Sequence, residues 1–311
     1  MRVLFFGTSD FAVPTLRALA AAGAERFEIA AVVTQPDRPA GRGRSLARSP
    51  VKDAAEGLGL PVRQPERVRD PVFLEAAREA APDAIVLASF GQIIPRKLLA
   101  LPPLGPINLH GSLLPAYRGA APIQYALLDG CEHTGVTTMW MAPALDAGDI
   151  LLQRRVPVEP NDDAGTLAAR VAEAGAPLML ETLDRLAAGN CPRTSQDDSR
   201  ATYAPSIGPG EAEIRWQEPA ARCRNRVRAM APRPGAHTLL AGRRLKVWRA
   251  SMEAGGAEPG IVARVGRDGV AVGTGDGLLL LEEVQPENGR AMPAGAWARG
   301  SRVAPGDRLG A

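Results

Sequence analysis

At 311 residues, with 45% hydrophobic and 23% charged residues and a formal net charge of +3, the chain has the make-up of a globular protein of about two domains, which excludes wholesale disorder. Three cysteines without a C-x-x-C pair and three histidines without H-x-x-x-H spacing exclude a disulfide framework, a zinc ribbon and a dedicated transition-metal site. No apolar run approaches the ~18 residues of a membrane span, and Thr8-Ser9-Asp10 cuts the apolar opening short of signal-peptide length, so a soluble cytoplasmic protein without membrane contact is expected.

The first half alternates strand and helix. Residues 3–6 form a short apolar run ending at Gly7, as a buried parallel strand does. Asp10 stands at an N-cap position before Phe11, Val13, Leu16, Leu19 and Ala20, with Gly23 as the stop. The single glycine of Gly7-Thr8-Ser9-Asp10 and an acid at the helix start exclude a dinucleotide fingerprint. A second strand follows at 29–33. Residues 34–49 then read as a loop too rich in Pro and Gly for regular structure, and Arg38, Arg42, Arg44 and Arg48 against Asp37 suit it to phosphate contacts. Ser49-Pro50 opens a helix that Gly59 closes, 71–80 is another, and 84–88 is a buried strand. A strand over 105–110, a helix over 123–128, a strand over 136–141 and a long helix over 164–186 complete a doubly wound, mostly parallel α/β sheet of Rossmann type.

The character changes after Gly189. Residues 190–207 are polar and without period and read as a linker between a domain over 1–189 and one over 208–311. Glu218-Pro219 starts a helix with an apolar stripe of Ala220, Cys223, Val227 and Met230, flanked by Arg222 and Arg226 on one side and Arg224 and Arg228 on the other. From His237 onward about five short strands, two pairs of them joined by Asp-Gly turns, predict a small OB-like β-barrel. Residues 1–190 carry 19 basic against 21 acidic side chains, whereas 191–311 carry 18 against 13, with nine basic and no acidic residues between Pro219 and Met252. That asymmetry points to a polyanion partner on the second half, although the scarcity of Lys also fits a G+C-rich gene.

One cluster suits chemistry. In a strand Asn108 and His110 share a face while Ile107 and Leu109 pack behind, and Gly111 ends the strand where an open α/β sheet collects its ligands. Histidine titrates near neutrality, and an asparagine N–H can face a developing oxyanion without ionising. Asp146 and Asp149 in Leu145-Asp146-Ala147-Gly148-Asp149 are both able to orient the imidazole, and spacing does not choose between them.

The run Asn108-Leu109-His110-Gly111-Ser112-Leu113-Leu114-Pro115, followed by Arg118-Gly119-Ala120-Ala121-Pro122-Ile123-Gln124, resembles the signature of the folate-dependent formyltransferases, and residues 145–149 match that family's second motif. Residues 1–14, 34–43 and Lys246-Val247-Trp248 resemble the members that act on methionyl initiator tRNA, so the likeness covers nearly the whole chain. The resemblance implies a formyltransferase-like catalytic domain and transfer of a formyl group from 10-formyltetrahydrofolate, without a metal, to methionyl initiator tRNA for translation initiation. It implies Asn108, His110 and Asp146 as the catalytic trio, and Ser112, Leu113, Leu114 and Pro115 with Phe90, Gly91 and Gln92 as the folate site. It further implies Arg38, Arg42, Arg44 and Arg48 as tRNA contacts, a C-terminal barrel that holds the acceptor arm, and a monomer. Ser89-Phe90-Gly91-Gln92 stands where the family often has Ala-Tyr-Gly, so a phenol hydroxyl is missing near the expected pterin. Two alternatives stand beside this. One is a formyltransferase acting on glycinamide ribonucleotide or an amino-sugar nucleotide. The other is a non-catalytic tRNA- or single-strand-binding protein, against which the 4% aromatic content argues.

Overall fold

The structure, a computed structural model, describes residues 1–40 and 45–310. It divides into two compact units that are not continuous in sequence: residues 1–119, 134–156 and 168–203 form one, and residues 120–133, 157–167 and 204–311 the other. The first unit opens with β1 (Arg2–Gly7), α1 (Val13–Ala21) and β2 (Glu28–Val33). Asp10 is not the N-cap that the spacing predicts. It starts a short 3-10 turn over Asp10–Ala12 whose cap position is Ser9, and the α-helix begins only at Val13, where Pro14 supplies a preset φ.

Residues 34–49 also differ from the expected irregular loop, because β3 (Arg38–Ala40) pairs antiparallel with β4 (Ser45–Ala47) as a small hairpin. Pro39 is tolerated there because a two-stranded ribbon is all edge. The hairpin leads into α2 (Pro50–Gly57), whose N-cap Ser49 accepts a hydrogen bond from the Lys52 N–H at 3.0 Å as its sequence requires. Then come β5 (Val62–Arg63), α3 (Pro71–Glu79) capped by Asp70, β6 (Ala84–Ala88), α4 (Arg96–Leu99) and β7 (Pro106–His110). After α5 (Pro122–Leu128), which belongs to the second unit, β8 (His133–Trp140) and β9 (Ile150–Pro157) complete a seven-stranded sheet of order β5-β2-β1-β6-β7-β8-β9.

The inner strands pair in parallel up to β7, and β8 runs antiparallel to β7. Alternate residues of β1 and β6 feed a core that holds Leu4, Phe6, Ile85, Leu87, Phe90 and Leu98, while Val3, Phe5 and Val86 are equally buried in the opposite sense. The strand order reverses between β1 and β6, and there the Thr8 N–H and hydroxyl donate to the carbonyls of Ser89 and Phe90. α6 (Ala164–Ala187) lies close on β7, because a Cβ at Gly175 would stand 2.8 Å from Leu109 Cδ2. That helix fills the Ile107/Leu109 face and leaves Asn108 and His110 on the other.

The second unit contains α7 (Ala220–Met230), then β10 (Ala236–Leu240), β11 (Arg243–Glu253), β12 (Val262–Val265), β13 (Val270–Gly273), β14 (Leu278–Pro286), β15 (Met292–Pro293) and α8 (Ala294–Gly300). The strands pair in the order β10-β11-β14-β13-β12, all antiparallel, with β15 on β14. The last residues bridge the two edges of that sheet. Leu309 pairs with Leu240 beside β10, Arg308 pairs with Ile261 beside β12, and the Val262 N–H donates to Asp307 O at 2.8 Å. Closing a small sheet with a terminal segment removes free edges that would otherwise invite pairing with other chains.

Candidate active site

β7 ends where its alternation predicts, with Asn108 and His110 on one face and 7% and 6% exposed. The Asn108 side chain, nearly buried, brings an uncharged N–H donor to the strand's carboxyl end. His110 Nε2 lies 2.8 Å from the Tyr117 carbonyl, which only accepts, and this assigns a proton to Nε2. The other ring nitrogen, Nδ1, faces Asp146 Oδ2 across 3.7 Å. That gap is too long for a direct hydrogen bond. The tautomer that carries its proton on Nε2 presents Nδ1 as an acceptor, opposite the Asp146 carboxyl group.

The two aspartates that spacing left equivalent have separate roles. Asp146 accepts the Gly119 N–H at 2.8 Å and turns toward His110. Asp149 instead binds Arg193 at 3.0 Å and the Ser195 hydroxyl at 3.2 Å. The loop between them is pinned to β8: a Cβ at Gly148 would stand 1.7 Å from the Trp140 carbonyl oxygen, so only glycine fits. The Arg193 guanidinium lies 4.2 Å from the centre of the Trp140 ring, stacked on it as a cation on an aromatic face.

The residues after β7 are held from behind. Thr137 on β8 donates its hydroxyl to Ser112 O at 2.7 Å and accepts from the Leu114 N–H at 3.2 Å and from Gln153 Nε2 at 2.9 Å. Ser112 is fully buried and its hydroxyl donates to Ala116 O at 2.6 Å, and Leu114 is buried too. These two side chains shape the loop, and Leu113 and Pro115 keep the exposure that a ligand contact requires.

Phe90 also departs from the expected folate contact. Its ring is 1% exposed and packs edge-on against Phe6 with centroids 5.2 Å apart, because an apolar ring following a core strand gains more inside than at a polar rim. A phenol there would bury its hydroxyl in the core. Gly91 and Gln92 do line a cavity of about 410 Å³, together with Gln35, Arg38, Arg67 and Arg69. Gln92 accepts from the Val68 N–H at 3.0 Å and donates to Gln35 Oε1 at 3.3 Å, which fixes the rim of that cavity.

Arg42 and Arg44 lie outside the described residues. Of the other two basic loop positions, Arg38 is open to solvent, whereas Arg48 donates to Asp53 and Glu56 of α2 and those bonds hold it firmly protonated. The hairpin is fastened at its base. Thr34 Oγ1 and Ser49 Oγ are 2.7 Å apart, Lys52 Nζ lies 2.6 Å from Asp37 Oδ2, and Gln64 donates to Asp37 Oδ1 at 2.8 Å. The Lys52 and Gln64 bonds hold the Asp37 carboxyl below its ordinary range.

The arginines of α7 are likewise spent within their own unit. Arg222 donates to Leu128 O, Arg224 to Pro160 O, Arg226 to Glu218 and Glu211 O, and Arg228 to Asp162 O and Glu159 O. Their carbonyl acceptors hold these arginines against neighbouring segments of the unit, so fewer of them are free to reach a ligand than the sequence suggests. Exposed basic side chains remain at Arg233, Arg243, Arg244 and Arg249, on and before the β10–β11 hairpin.

Residues 1–183 match the family model described as formyl transferase, and residues 206–302 match that of the formyl transferase C-terminal domain. The chain belongs to the formyl transferase family. As a formyl transferase it is 50% identical over 312 residues to the methionyl-tRNA formyltransferase of Moorella thermoacetica, covering 100% of this chain and 99% of that protein. It is 49% identical over 310 residues to that of Thermus thermophilus, with 100% and 99% covered. Among solved structures, HypX from Aquifex aeolicus in complex with tetrahydrofolic acid superposes with a TM-score of 0.65 at 20% identity, over 96% of this chain and 47% of that one, so this chain spans about half its length. The N-formyltransferase from Helicobacter canadensis with folinic acid and dTDP-3-aminofucose gives 0.67 at 18% identity over 92% and 99%. At those identities the two structures share the fold.

Several groups at this formyl transferase site were not singled out in the sequence. They are the Tyr117 carbonyl that sets the His110 tautomer, the Gly119 N–H on Asp146, and Gln196, which donates to Asp146 O and Gly148 O. The first two are backbone atoms and carry no sequence signal. Gln196 falls in the segment expected as linker, which docks on the first unit through Thr194 to Ile150 and Thr202 to Tyr117 and Arg118. Among the described residues no three His, Cys, Asp or Glu side chains gather as metal ligands, and no helix is long and apolar enough to cross a membrane.

Proposed function

We propose that this formyl transferase moves the formyl group from N10 of 10-formyltetrahydrofolate to the α-amino group of methionine esterified to initiator tRNA, giving N-formylmethionyl-tRNA. The observation that carries the reading is the 49–50% identity, over the whole chain, to methionyl-tRNA formyltransferases. Sugar formyltransferases match at 16–21% identity, which supports a shared fold and leaves the acceptor to the closer relatives. The reading implies a cytoplasmic monomer serving translation initiation.

The chemistry follows from the trio. The neutral amine attacks the formyl carbon, a C–N bond forms, and the carbonyl π pair moves to oxygen. An amide N–H of Asn108 donates to that oxyanion from a site with little water, where such a bond is worth more than in solvent. The amine proton passes to the pair formed by His110 Nδ1 and Asp146. Nε2 is committed to the Tyr117 carbonyl, so Nδ1 is the ring nitrogen that works. As the oxyanion collapses, the bond to the folate nitrogen breaks and a proton from the pair goes to N10. Atoms and charge balance without a covalent enzyme intermediate.

The hairpin of β3 and β4 would present its cations, Arg38 among them, to the acceptor end of the tRNA. Its Lys52–Asp37 tie holds the Asp37 carboxyl below its ordinary range. The Asp37 value is depressed, so the stability that it contributes is full above the ordinary carboxylate range and is lost only as pH falls through the lowered value. Lys52→Met should raise the KM for aminoacyl-tRNA roughly 3- to 10-fold and leave kcat nearly unchanged, with recovery in Lys52→Arg, as judged by steady-state kinetics.

The test of the function is direct. Purified protein incubated with 10-formyltetrahydrofolate and methionyl initiator tRNA should yield formylmethionine only when both are present. Formylation of glycinamide ribonucleotide or an amino-sugar nucleotide instead, or no product at all, overturns the reading.

A further inference from the structure

Asp146 is held in an unusual way. Its φ of 49° lies in the left-handed region, which aspartate enters more readily than most side chains but which still needs holding in one place. Two partners hold it there. The Gly119 N–H takes the carboxylate, and a single side-chain nitrogen, Gln196 Nε2, donates one hydrogen to Asp146 O at 2.8 Å and the other to Gly148 O at 2.7 Å. The amide of Gln196 cannot flip, because its Oε1 accepts from Arg118 Nε at 3.0 Å. Arg118 is itself 3% exposed and donates through its second arm to Asp198 at 2.7 Å. Gly119, the next residue, is the one whose N–H reaches Asp146 Oδ2. One buried arginine thus controls both ends of the aspartate, the carbonyl through Gln196 and the carboxylate through the adjoining peptide.

We infer that Gln196, oriented by Arg118, is a positioning residue for formyl transfer: it fixes the backbone of Asp146 so that the carboxylate faces His110 Nδ1 at 3.7 Å. The segment carrying Gln196 does not need this glutamine to stay docked. Thr194 exchanges two backbone hydrogen bonds with Ile150, Arg193 and Ser195 hold Asp149, and the Arg118 N–H donates to Thr202 O at 2.8 Å. A side chain this well placed, in a strap that is redundantly fastened, acts on what it touches, namely the Asp146 loop.

The inference rests on the formyl-transfer reading, and the experiment separates the two. Kinetics are followed under single-turnover and steady-state conditions with 10-formyltetrahydrofolate and methionyl initiator tRNA. Gln196→Ala should lower kcat roughly 10- to 100-fold while both KM values stay within about twofold, because a misplaced general base costs turnover and not binding. In an Asp146→Ala background the same substitution should cost less than about twofold, since its path to the chemistry is gone. Gln196→Glu keeps the shape but turns an acceptor toward two carbonyls. It should be as slow as the alanine variant at neutral pH and recover in part as the new carboxyl is protonated, a pH dependence that wild type lacks. It also serves if the alanine variant fails to fold. Wild-type kcat in either variant, or equal losses with and without Asp146, overturns the inference. A wild-type protein that makes no formylmethionyl-tRNA overturns the functional reading instead.

Discussion

Asp146→Asn is expected to lower kcat for formyl transfer roughly 10³-fold, with the KM for 10-formyltetrahydrofolate within about twofold of wild type. The substitution preserves shape. The asparagine oxygen still accepts the Gly119 N–H that Asp146 holds at 2.8 Å, and the loop, pinned by Gly148 against Trp140, has no reason to move. With that bond kept, the amide oxygen takes the place of Oδ2, which also faces His110 Nδ1, and the NH2 takes the place of Oδ1. An amide oxygen in that place is too weakly basic to accept the amine proton or to deliver one to the folate nitrogen. Melting should change little, so a large loss of turnover in a protein of unchanged Tm is the signature that separates lost chemistry from lost structure.

Asn108→Ala is expected to lower kcat about 10²- to 10³-fold, the usual cost of one oxyanion donor, again without weakening folate binding. Asn108 is 7% exposed, and truncating it leaves a small cavity beside its strand neighbours Leu87 and Met139. Tm should change by little compared with the loss of turnover. A large loss of activity at nearly constant Tm marks a group held for its function.

What the sequence discloses and what it hides follow physical lines. Strands such as β1 and β6 are legible because a parallel strand covered on both faces must be apolar throughout. The Asn108/His110 pair is legible because strand alternation has a period of two. β9 is hidden, since Gln153, Arg154 and Arg155 on a strand at the sheet edge break the apolar run that marks its neighbours. The hairpin over 38–47 is hidden by Pro39, which reads as a breaker and is harmless on an edge.

Long-range partners are the larger loss. Gln196 bonds to Asp146 and Gly148, 50 and 48 positions away, and no local pattern carries such a pairing. The α7 arginines teach the converse. Charge is visible in a sequence, but the carbonyl oxygens that hold these guanidinium groups in place are not, and so a basic stretch overstates how many of its side chains are free to reach a ligand. At Phe90, which the resemblance places at the folate site, the ring packs in the core against Phe6.

The central claim is that His110 and Asp146 act as one proton-handling unit across their 3.7 Å gap, and a double-mutant cycle in single-turnover formyl transfer measures it. The rates of wild type, His110→Gln, Asp146→Asn and the double variant are compared with 10-formyltetrahydrofolate and methionyl initiator tRNA saturating. If the two groups share one proton, the double variant is no more than about threefold slower than the slower single variant. Losses that multiply would mean that the two side chains serve separate steps, and the pairing proposed for them would be wrong.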